Sequence, residues 1–457
     1  MTSPGLLARL RPGVWSVTGP DGMLYLLAPP RSHRLGSATP ALRAALARLS
    51  PPPGSGTAGP DPDGALPAGL LAELDRGGWL TTTATWQGRP LWTVVPVGRP
   101  AAEPAGGGVL SRFAALRRDG ADLVLESPLA EARILVHDPA LLPLLADPGP
   151  VGAAGIPAAH AAGFRRDLGR WCFLASSAES ESDSLRVAQW SPHELGFHAG
   201  SRLGRHHPIG AAGAAGTGWA AGRFPAVPAR RPDSAAGAVP LPRADLRRLC
   251  TADPPLTAVL ESRRSVRAHD EAQPLTLGQL GEFLDRCAGV RREWDVGGAE
   301  LSRRPYPAGG ALHELELYLA VRRVDGLAPG FYRYDPFGHR VERVTGLTQP
   351  VRRMLTLAAT ATEMAGPPQL LVVIAARFGR LLAKYRAIGY ALVLKHVGVL
   401  TQVMYSVATA MELAPCAVGT GDSDGFAEAA GVDPLEESRV GEFVLGSLPA
   451  GVRPGSG

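Results

Sequence analysis

Apolar residues in the first half of the chain form short runs separated by turn residues, a pattern that predicts strands joined by hairpins. Asp-Gly between two apolar runs is a strong hairpin signal. The pattern occurs twice, about a hundred residues apart: residues 14–17 and 23–27 flank Asp21-Gly22, and residues 110–116 and 121–125 flank Asp119-Gly120. We therefore expect two related units.

Each hairpin is followed by a predicted helix that starts with a capping residue and a proline, Thr39-Pro40 in the first unit and Asp138-Pro139 in the second. Thr or Asp at the N-cap with Pro at the first helical position is a physically sensible helix start. The first helix runs to Leu49 and the second to Leu145. The first predicted helix has an apolar face of Leu42, Ala45, Leu46 and Leu49. Each unit then has a second helical stretch, which ends at Gly77-Gly78 in the first unit and at Gly163 in the second. Each unit closes with an aromatic segment, at Trp79 and at Phe164 respectively.

The second half shows both strand and helix periods. Leu315, Leu317 and Leu319 alternate with polar residues and predict a half-buried strand, and residues 370–375 form an apolar run that predicts a buried strand. Thr276-Leu277 opens a predicted helix that runs to Leu284. A long core helix to about Leu413 is predicted by apolar residues at helical spacing: Tyr390, Leu394, Val397, Thr401, Met404, Ala408 and Met411.

These elements predict an α+β protein. The Pro/Gly-rich residues 51–63 are expected to form a flexible excursion. Residues 208–244, rich in Gly, Ala, Pro and Arg, are expected to form a linker or a loose wrap over a partner subunit. The predicted boundaries are residues 1–97 and 108–178 for two small winged-helix-like modules, 185–244 for a connector and linker, and 245–457 for a C-terminal domain.

Composition narrows the class of protein. The net charge of +5 is mild and the arginines are dispersed, so nucleic acid is a weak candidate partner. The four cysteines are scattered, which argues against a disulfide framework or a structural zinc site. No apolar run approaches the roughly 18 residues of a membrane span, and no signal peptide is evident. We expect a cytoplasmic protein without a membrane segment.

Histidines between residues 193 and 207 raise the question of a metal site. No cysteine and few carboxylates accompany them, and their spacing matches no zinc pattern. The stretch is therefore interpreted as a short amphipathic helix that docks on the next domain, and no metal is predicted.

Lysine is almost absent from the chain. Of the 47 Lys plus Arg residues, only Lys384 and Lys395 are lysines. Arginine cannot lose its proton in a protein, whereas a partly buried lysine can act as a base. Lys384 beside Tyr385 is therefore a candidate proton-transfer pair. The alternative is an exposed lysine without a function.

Three further segments have the chemistry of a ligand site. Arg263, Arg264, Ser265 and Arg267 supply charged and hydroxyl donors that suit a phosphate, although an arginine-rich helix end on a solvated face is the common alternative. Adjacent glycines allow the backbone to approach a flat ligand closely. They occur in Pro307-Ala308-Gly309-Gly310, and closely spaced glycines recur in Gly419-Thr420-Gly421.

Residues 245–457 resemble the nitroreductase-like flavoprotein fold and specifically its SagB-type (McbC-like) azoline dehydrogenase branch. The resemblance is carried by motifs in a fixed order, which are Arg-x-Ser-x-Arg at 263–267, Pro-Ala-Gly-Gly-Ala-Leu at 307–312, Gly-Phe-Tyr-Arg-Tyr-Asp at 330–335 and Lys-Tyr at 384–385. Residues 123–130 and 201–205 extend it upstream. The two N-terminal units resemble PqqD-like domains, which bind the leader peptides of ribosomally made, modified peptides by strand addition. Modules that bind no ligand are the alternative.

The resemblance implies FMN at a homodimer interface, with Arg263, Arg264, Ser265 and Arg267 near the phosphate. Pro307 to Gly310, and less directly Gly419 to Gly421, would lie near the isoalloxazine. Ala308 stands where the family often has Ser, and His313-Glu314 replace a Tyr-Pro-like pair. The first departure removes a hydroxyl contact to FMN, and the second leaves the entry to the strand undefined.

The implied reaction oxidises thiazoline or oxazoline rings in a precursor peptide to thiazole or oxazole, as in thiazole/oxazole-modified or thiopeptide biosynthesis. Lys384, neutral in a desolvated site, would take the proton, and Tyr385 would position it or share the transfer. Because adjacent residues diverge on a regular helix, an irregular backbone or a helix start is expected there. Oxygen would reoxidise the flavin, and a cyclodehydratase complex is an expected partner.

Two other functions fit the same residues. A nicotinamide-dependent nitro- or quinone-reductase would share the fold, but it would not account for Lys384-Tyr385 or for the duplicated modules. A non-catalytic scaffold would only hold a precursor peptide within a synthetase complex.

Overall fold

The computed structural model describes residues 5–29, 31–50, 69–101, 108–146, 155–202, 218–232 and 237–451. The chain divides into two compact units, Met1–Ala214 and Ala215–Gly457. The predicted excursion at residues 51–63, the connector residues 203–207 with His206 and His207, and the linker residues 208–217 lie outside the described residues.

The first unit combines short strands with short helices. Its described strands are β1 (Gly5–Leu10), β2 (Trp15–Thr18), β3 (Met23–Ala28), β4 (Arg31–Ser37), β5 (Leu80–Trp86), β6 (Arg89–Pro96), β7 (Val109–Leu110), β8 (Ala115–Asp119), β9 (Asp122–Glu126), β10 (Ala132–Val136) and β11 (Leu174–Ala175). Its described α-helices are α1 (Pro40–Leu49), α2 (Leu70–Arg76), α3 (Pro143–Ala146), α4 (Ala158–Arg170), α5 (Leu185–Ala188) and α6 (Pro192–Gly200).

The two sequence-predicted modules are not separate in the structure. A six-stranded sheet has the order β1-β5-β6-β10-β9-β8, so strands from both modules pair with each other. The join is the antiparallel pair β6–β10, in which Val94 lies opposite Ile134, and both residues are buried. The predicted boundary between the two modules, at residues 97–108, therefore falls within one sheet, because the strand at the end of the first copy pairs with a strand of the second copy.

The first copy otherwise follows its sequence. Both predicted strands of its hairpin are present, as β2 and β3, and β4 completes a three-stranded sheet. Thr39 caps α1 by accepting a hydrogen bond from the Leu42 N–H at 3.2 Å. The predicted apolar face of α1 is buried, and α2 ends immediately before Gly77.

The second copy departs from the prediction at Gly163 and Phe164. Both residues lie inside α4 rather than at a helix end and a closing strand. A Cβ at Gly163 would lie 3.5 Å from the Trp92 indole, so this glycine lies where the helix packs closely on the sheet. Phe164 is fully buried with its ring edge-on to Trp92 at 5.4 Å. Burial against the sheet outweighs the weak helix propensity of glycine here.

The second unit is built around one large sheet. Its described strands are β12 (Ala238–Pro240), β13 (Arg292–Val296), β14 (Ala299–Arg303), β15 (Leu315–Val321), β16 (Gly330–Asp335), β17 (Arg340–Thr345), β18 (Leu370–Arg377), β19 (Leu413–Val418) and β20 (Glu437–Ser447). Its described α-helices are α7 (Leu246–Ala252), α8 (Leu256–Ser262), α9 (Leu277–Ala288), α10 (Gln349–Ala361), α11 (Phe378–Leu382), α12 (Gly389–Ala410) and α13 (Ser423–Ala430).

The seven-stranded sheet has the order β12-β17-β16-β15-β18-β20-β19. Both faces of its centre are covered: α9 and α12 contribute to the core on one face, and α10 and α13 contribute to the core on the other. All seven residues of β15 are buried, which corrects the prediction of a half-buried strand there. The alternating pattern gave the wrong prediction because the polar positions of β15 are buried as well. Glu316 forms an ion pair with Arg377, and Tyr318 belongs to the core on the α10 and α13 face of the sheet.

The predicted linker contributes to the second unit. Its residues 238–240 form β12, which pairs with β17 at the edge of the large sheet. The Trp219 indole N–H donates to the Leu382 carbonyl at 2.6 Å, and Ala220 is buried. The predicted domain start at residue 245 is therefore too late, because these upstream residues pack on their own chain.

Helix α12 is only partly a core helix. Leu400 and Met404 are fully buried, but Tyr390 and Leu394, which were predicted to be core residues, are 42% and 41% exposed. By length and composition alone, α12 could cross a membrane, with a mean hydropathy of 1.3 and 33% of its apolar window buried. A helix that packs on a sheet and also meets a second protein surface has the same properties.

Candidate functional site

Lys384 and Tyr385 lie in the irregular turn between α11 and α12. Their backbone N–H groups both donate to the Leu381 carbonyl, at 3.1 and 3.0 Å, and Ala387 has a φ of +63° before α12 begins. The Lys384 Nζ lies 5.3 Å from the centre of the Tyr385 ring. The irregular backbone that cooperation between adjacent side chains requires is therefore present.

The same two side chains meet the glycine loop at residues 307–310. A Cβ at Gly310 would lie 2.7 Å from the Lys384 Nζ and 3.2 Å from the Tyr385 hydroxyl, and Gly310 has a φ of +61°. Both the close approach and the backbone conformation favour glycine at this position. The structure thus brings together Lys384, Tyr385 and the Pro-Ala-Gly-Gly segment.

Lys384 is exposed and Tyr385 is half-buried in the single chain. The desolvated lysine predicted from the sequence is not found within the chain itself. The turn lies at the surface of the unit, where the glycine loop and residues 218–220 contact it: the Gly218 N–H donates to the Lys384 carbonyl at 3.3 Å, and the Trp219 indole N–H donates to the Leu382 carbonyl. These contacts leave the Lys384 side chain exposed.

A buried histidine and glutamate support the glycine loop from behind. The Gly309 N–H donates to the His396 Nε2 at 2.9 Å, and the His396 Nδ1 lies 2.7 Å from Glu314 Oε1. Because Nε2 accepts, Nδ1 carries the hydrogen and donates to the carboxylate. Glu314 is fully buried. Sequence reasoning missed this pair, although it noted the unusual His313-Glu314.

The arginine and serine segment at residues 263–267 contacts α12 nearer its C-terminal end. Ser265 Oγ is 2.7 Å from the Tyr405 hydroxyl, and the Arg263 guanidinium lies 5.1 Å from the centre of the same ring. Arg264 is half-buried and Arg267 is exposed. Tyr405 follows His396 by nine residues, which is about 13 Å at 1.5 Å per helical residue. The segment and the glycine loop thus contact one helix at two points.

Gly419, Thr420 and Gly421 form an exposed turn after β19. Gly421 packs closely against Arg439 and Glu442, and burial raises the pKa of Glu442 to about 7. These contacts are with β20, not with Lys384 or Gly310. The predicted role of this turn near an isoalloxazine therefore stays a prediction.

A cavity of about 470 Å³ opens on the other side of the glycine loop. Burial lowers the pKa of His313 to about 3 and raises the pKa of Tyr306 to about 12, so both are neutral near pH 7. The lining residues are Arg292, Trp294, Ser302, Arg303, Arg304, Tyr306, Pro307, Ala308, Ala311 and His313. Across the described ranges, no group of three or more His, Cys, Asp or Glu side chains could hold a metal ion.

Two known protein families match different parts of the chain. The nitroreductase family model matches residues 260–447, and the model described as cyanobactin oxidase ThcOx matches residues 108–207. The putative nitroreductase MJ1384 of Methanocaldococcus jannaschii is 34% identical over 164 residues, covering 36% of this chain and 78% of that protein. The chain belongs to the nitroreductase family.

The chain is also similar to the microcin B17-processing protein McbC of Escherichia coli, with 34% identity over 105 residues. That match spans 22% of this chain and only 38% of McbC. Among solved structures, a putative nitroreductase from Ralstonia eutropha has a TM-score of 0.37 at 23% identity and covers 48% of this chain and 94% of its own. The Escherichia coli McbBCD complex with truncated pro-MccB17 has a TM-score of 0.35 at 24% identity, with coverages of 40% and 67%.

The nitroreductase-like α+β fold predicted for the C-terminal domain is confirmed. The chain is also similar to McbC and to the ThcOx model, and both similarities agree with the McbC-like branch that the sequence motifs predict. The ThcOx match spans the second predicted module and part of the connector. The PqqD-like character of the two N-terminal copies stays a prediction.

Proposed function

We propose that this nitroreductase-family protein is an FMN-dependent oxidase that converts thiazoline or oxazoline rings of a ribosomally made peptide to thiazole or oxazole. The observation that carries the proposal is the convergence of Lys384 Nζ and the Tyr385 hydroxyl on Gly310. The similarity to McbC and to the ThcOx model supports a peptide substrate.

The residues present fit FMN. Arg263, Ser265 and Arg267 supply cationic and hydroxyl donors for a phosphate. Gly309 and Gly310 provide backbone without side chains beside Lys384, where a flat ring system needs close approach. FMN, when bound, supplies the acceptor for the hydride that leaves the azoline ring. The turn at Gly419–Gly421 is proposed as a further cofactor contact.

The proton that leaves the ring must be accepted by a residue of the protein itself. We assign Lys384 Nζ as the base that accepts it, with the Tyr385 hydroxyl holding the lysine or sharing the transfer. His396, oriented by Glu314, accepts a hydrogen bond from the Gly309 N–H and so keeps the glycine loop in place beside the base. Each ring oxidised thus loses two hydrogen atoms, one as a proton and one with its electron pair.

Purification followed by two assays tests the proposal. A yellow protein that converts an azoline peptide to a product lighter by two hydrogen atoms per ring supports it, with flavin absorbance and mass spectrometry as the measurements. Bleaching by NADPH without activity on azolines would instead indicate a nitro- or quinone-reductase. A colourless, FMN-free protein that still binds the peptide would indicate a scaffold.

The exposed position of Lys384 requires a second surface to exclude water, and we propose that a homodimer supplies it. Helix α8 packs against α12, and both carry exposed apolar side chains. These are Leu256 and Leu260 on α8 and Tyr390, Leu394 and Val399 on α12. Exposed apolar surface of this kind marks protein interfaces, and closed homo-oligomers are the common outcome.

Leu394→Glu is expected to shift the protein from dimer to monomer and to reduce bound FMN, because a charge would be buried in the proposed interface. Light scattering after size-exclusion chromatography measures the mass, and the absorbance ratio of flavin to protein measures FMN. Leu357→Glu, at an equally exposed leucine on α10, is the matched control and should stay dimeric. A monomeric wild type would contradict the dimer.

We propose that the first N-terminal copy binds the leader of the precursor peptide. In the described residues, β4 forms one edge of the three-stranded sheet and has a partner only in β3. Beside it is a groove of about 410 Å³, in which Leu35, Leu42 and Leu70 are accompanied by Thr39, Gly69, Glu73 and Arg76. An extended peptide that adds to β4 would place its side chains in this groove. A leader held there raises the local concentration of the core peptide.

Leu35→Arg is expected to weaken leader binding about tenfold, because it replaces an apolar side chain of the groove with a larger, charged one. Fluorescence anisotropy with a labelled leader from the neighbouring precursor gene measures the affinity. Leu116→Arg on β8, the edge strand of the second copy, is the comparison. Loss of binding with Leu116→Arg alone would transfer the role to the second copy.

We also propose that the protein works with a cyclodehydratase and that it is located in the cytoplasm.

A further inference from the structure

The hairpin β13–β14 places two arginines directly opposite each other. Arg292 and Arg303 are cross-strand partners in this two-stranded antiparallel sheet, and both are exposed. Like charges at opposed positions destabilise a sheet. The arrangement has a cost that a bound anion would remove.

The charged side chains that line the cavity beside this hairpin are all cationic. Arg292, Arg303 and Arg304 line it, and no Asp or Glu is among its lining residues. Within the described part of the chain, none of the three has an ion pair within 4.0 Å. The acidic residues of the hairpin face other groups: Glu293 pairs with Arg230, Asp295 accepts from the Gly298 N–H, and Glu300 accepts from the Ala229 N–H.

Arg304 gives the site a fixed, buried cation. It is 9% exposed, and its guanidinium lies 5.6 Å from the centre of the Phe337 ring. Its neighbours in the lining, Tyr306 and His313, are neutral near pH 7 and add no compensating charge. A planar guanidinium in such a setting suits an oxygen anion, which it can bind with two parallel hydrogen bonds.

We propose that this cavity binds an anionic oxygen group, supplied by a carboxylate of the peptide substrate close to the ring that is oxidised. The cavity adjoins the reactive residues, since Pro307 and Ala308 line it and Gly310 in the same loop meets Lys384 and Tyr385. The peptide as the source rests on the proposed function. The phosphate of FMN is the other source of the same chemistry.

The anion site itself is tested without any peptide. Thermal unfolding of the FMN-loaded protein is measured with and without glutarate or inorganic phosphate. We expect both anions to raise the Tm of the wild type and of Arg352→Gln, a control at an exposed arginine on α10. Neither should raise the Tm of Arg303→Gln. In anion-free buffer Arg303→Gln should unfold at a higher temperature than the wild type, because it removes the opposed like charges. Equal anion responses in Arg303→Gln and wild type would overturn the site.

The source of the anion is tested by isothermal titration calorimetry with two thiazole peptides. One carries aspartate beside the ring, and the other has asparagine at the same position. The wild type should bind the aspartate peptide about tenfold more tightly, and Arg303→Gln and Arg304→Gln should lose that preference. Equal binding of the two peptides by the wild type overturns the peptide source. Loss of FMN from Arg304→Gln without a change in peptide preference assigns the cavity to the phosphate of FMN. If neither peptide binds while the anion response persists, the proposed function fails and the anion site stands.

Discussion

Lys384→Ala is expected to fold and retain FMN but to lose azoline oxidation by at least about a hundredfold, the usual contribution of a positioned base. The physical reason is that its Nζ, beside the Tyr385 hydroxyl at Gly310, is the proposed acceptor of the ring proton. Single-turnover rates of flavin reduction by an azoline peptide measure the loss, and flavin absorbance measures retention of the cofactor.

Two variants separate proton transfer from simple charge. Lys384→Arg keeps the positive charge but cannot give up a proton, so it should be nearly as inactive as Lys384→Ala. Lys395→Ala, which removes the only other lysine from the exposed side of α12, is the matched control and should keep its rate. Full activity in Lys384→Arg would limit the role of this side chain to binding.

His396→Leu is expected to lower the free energy of unfolding by about 3 kcal/mol. The substitution leaves the Glu314 carboxylate buried without its partner and removes the acceptor of the Gly309 N–H. Chemical denaturation monitored by circular dichroism measures the change. Because the glycine loop is then unsupported, azoline oxidation should fall as well.

The double variant Glu314→Leu/His396→Leu distinguishes the two consequences. It removes the unpaired buried charge, so much of the lost stability should return, while the Gly309 N–H still lacks its acceptor and the activity stays low. A single variant as stable as the wild type would show that Glu314 finds another partner. Recovery of both stability and activity in the double variant would contradict a positioning role for His396.

Local signals in the sequence were sufficient for several elements. The Asp21-Gly22 hairpin and the Thr39-capped helix both follow from interactions within a few residues. The ordered motifs from Arg263 to Tyr385 were sufficient for the nitroreductase-like fold. Turn chemistry, capping and short motifs are encoded where they act, so they can be read in one pass along the chain.

Burial and pairing across the chain could not be read in this way. Whether β15 is covered on one face or on both depends on helices far from it in sequence, and the same holds for the exposed residues of α12. The shared sheet of the two N-terminal copies depends on the pairing of β6 with β10. Periodicity reports which residues share a face, but not what covers that face.

The residue types of this protein, and above all the single Lys-Tyr pair in a chain that otherwise uses arginine, were determined by the sequence alone. Only the tertiary structure decided that Lys384 and Tyr385 meet Gly310, and that His396 bonds both Gly309 and Glu314. His396 is 82 residues from Glu314 along the chain. Contacts over such separations arise from the packing of α12 on the sheet, which no local pattern contains.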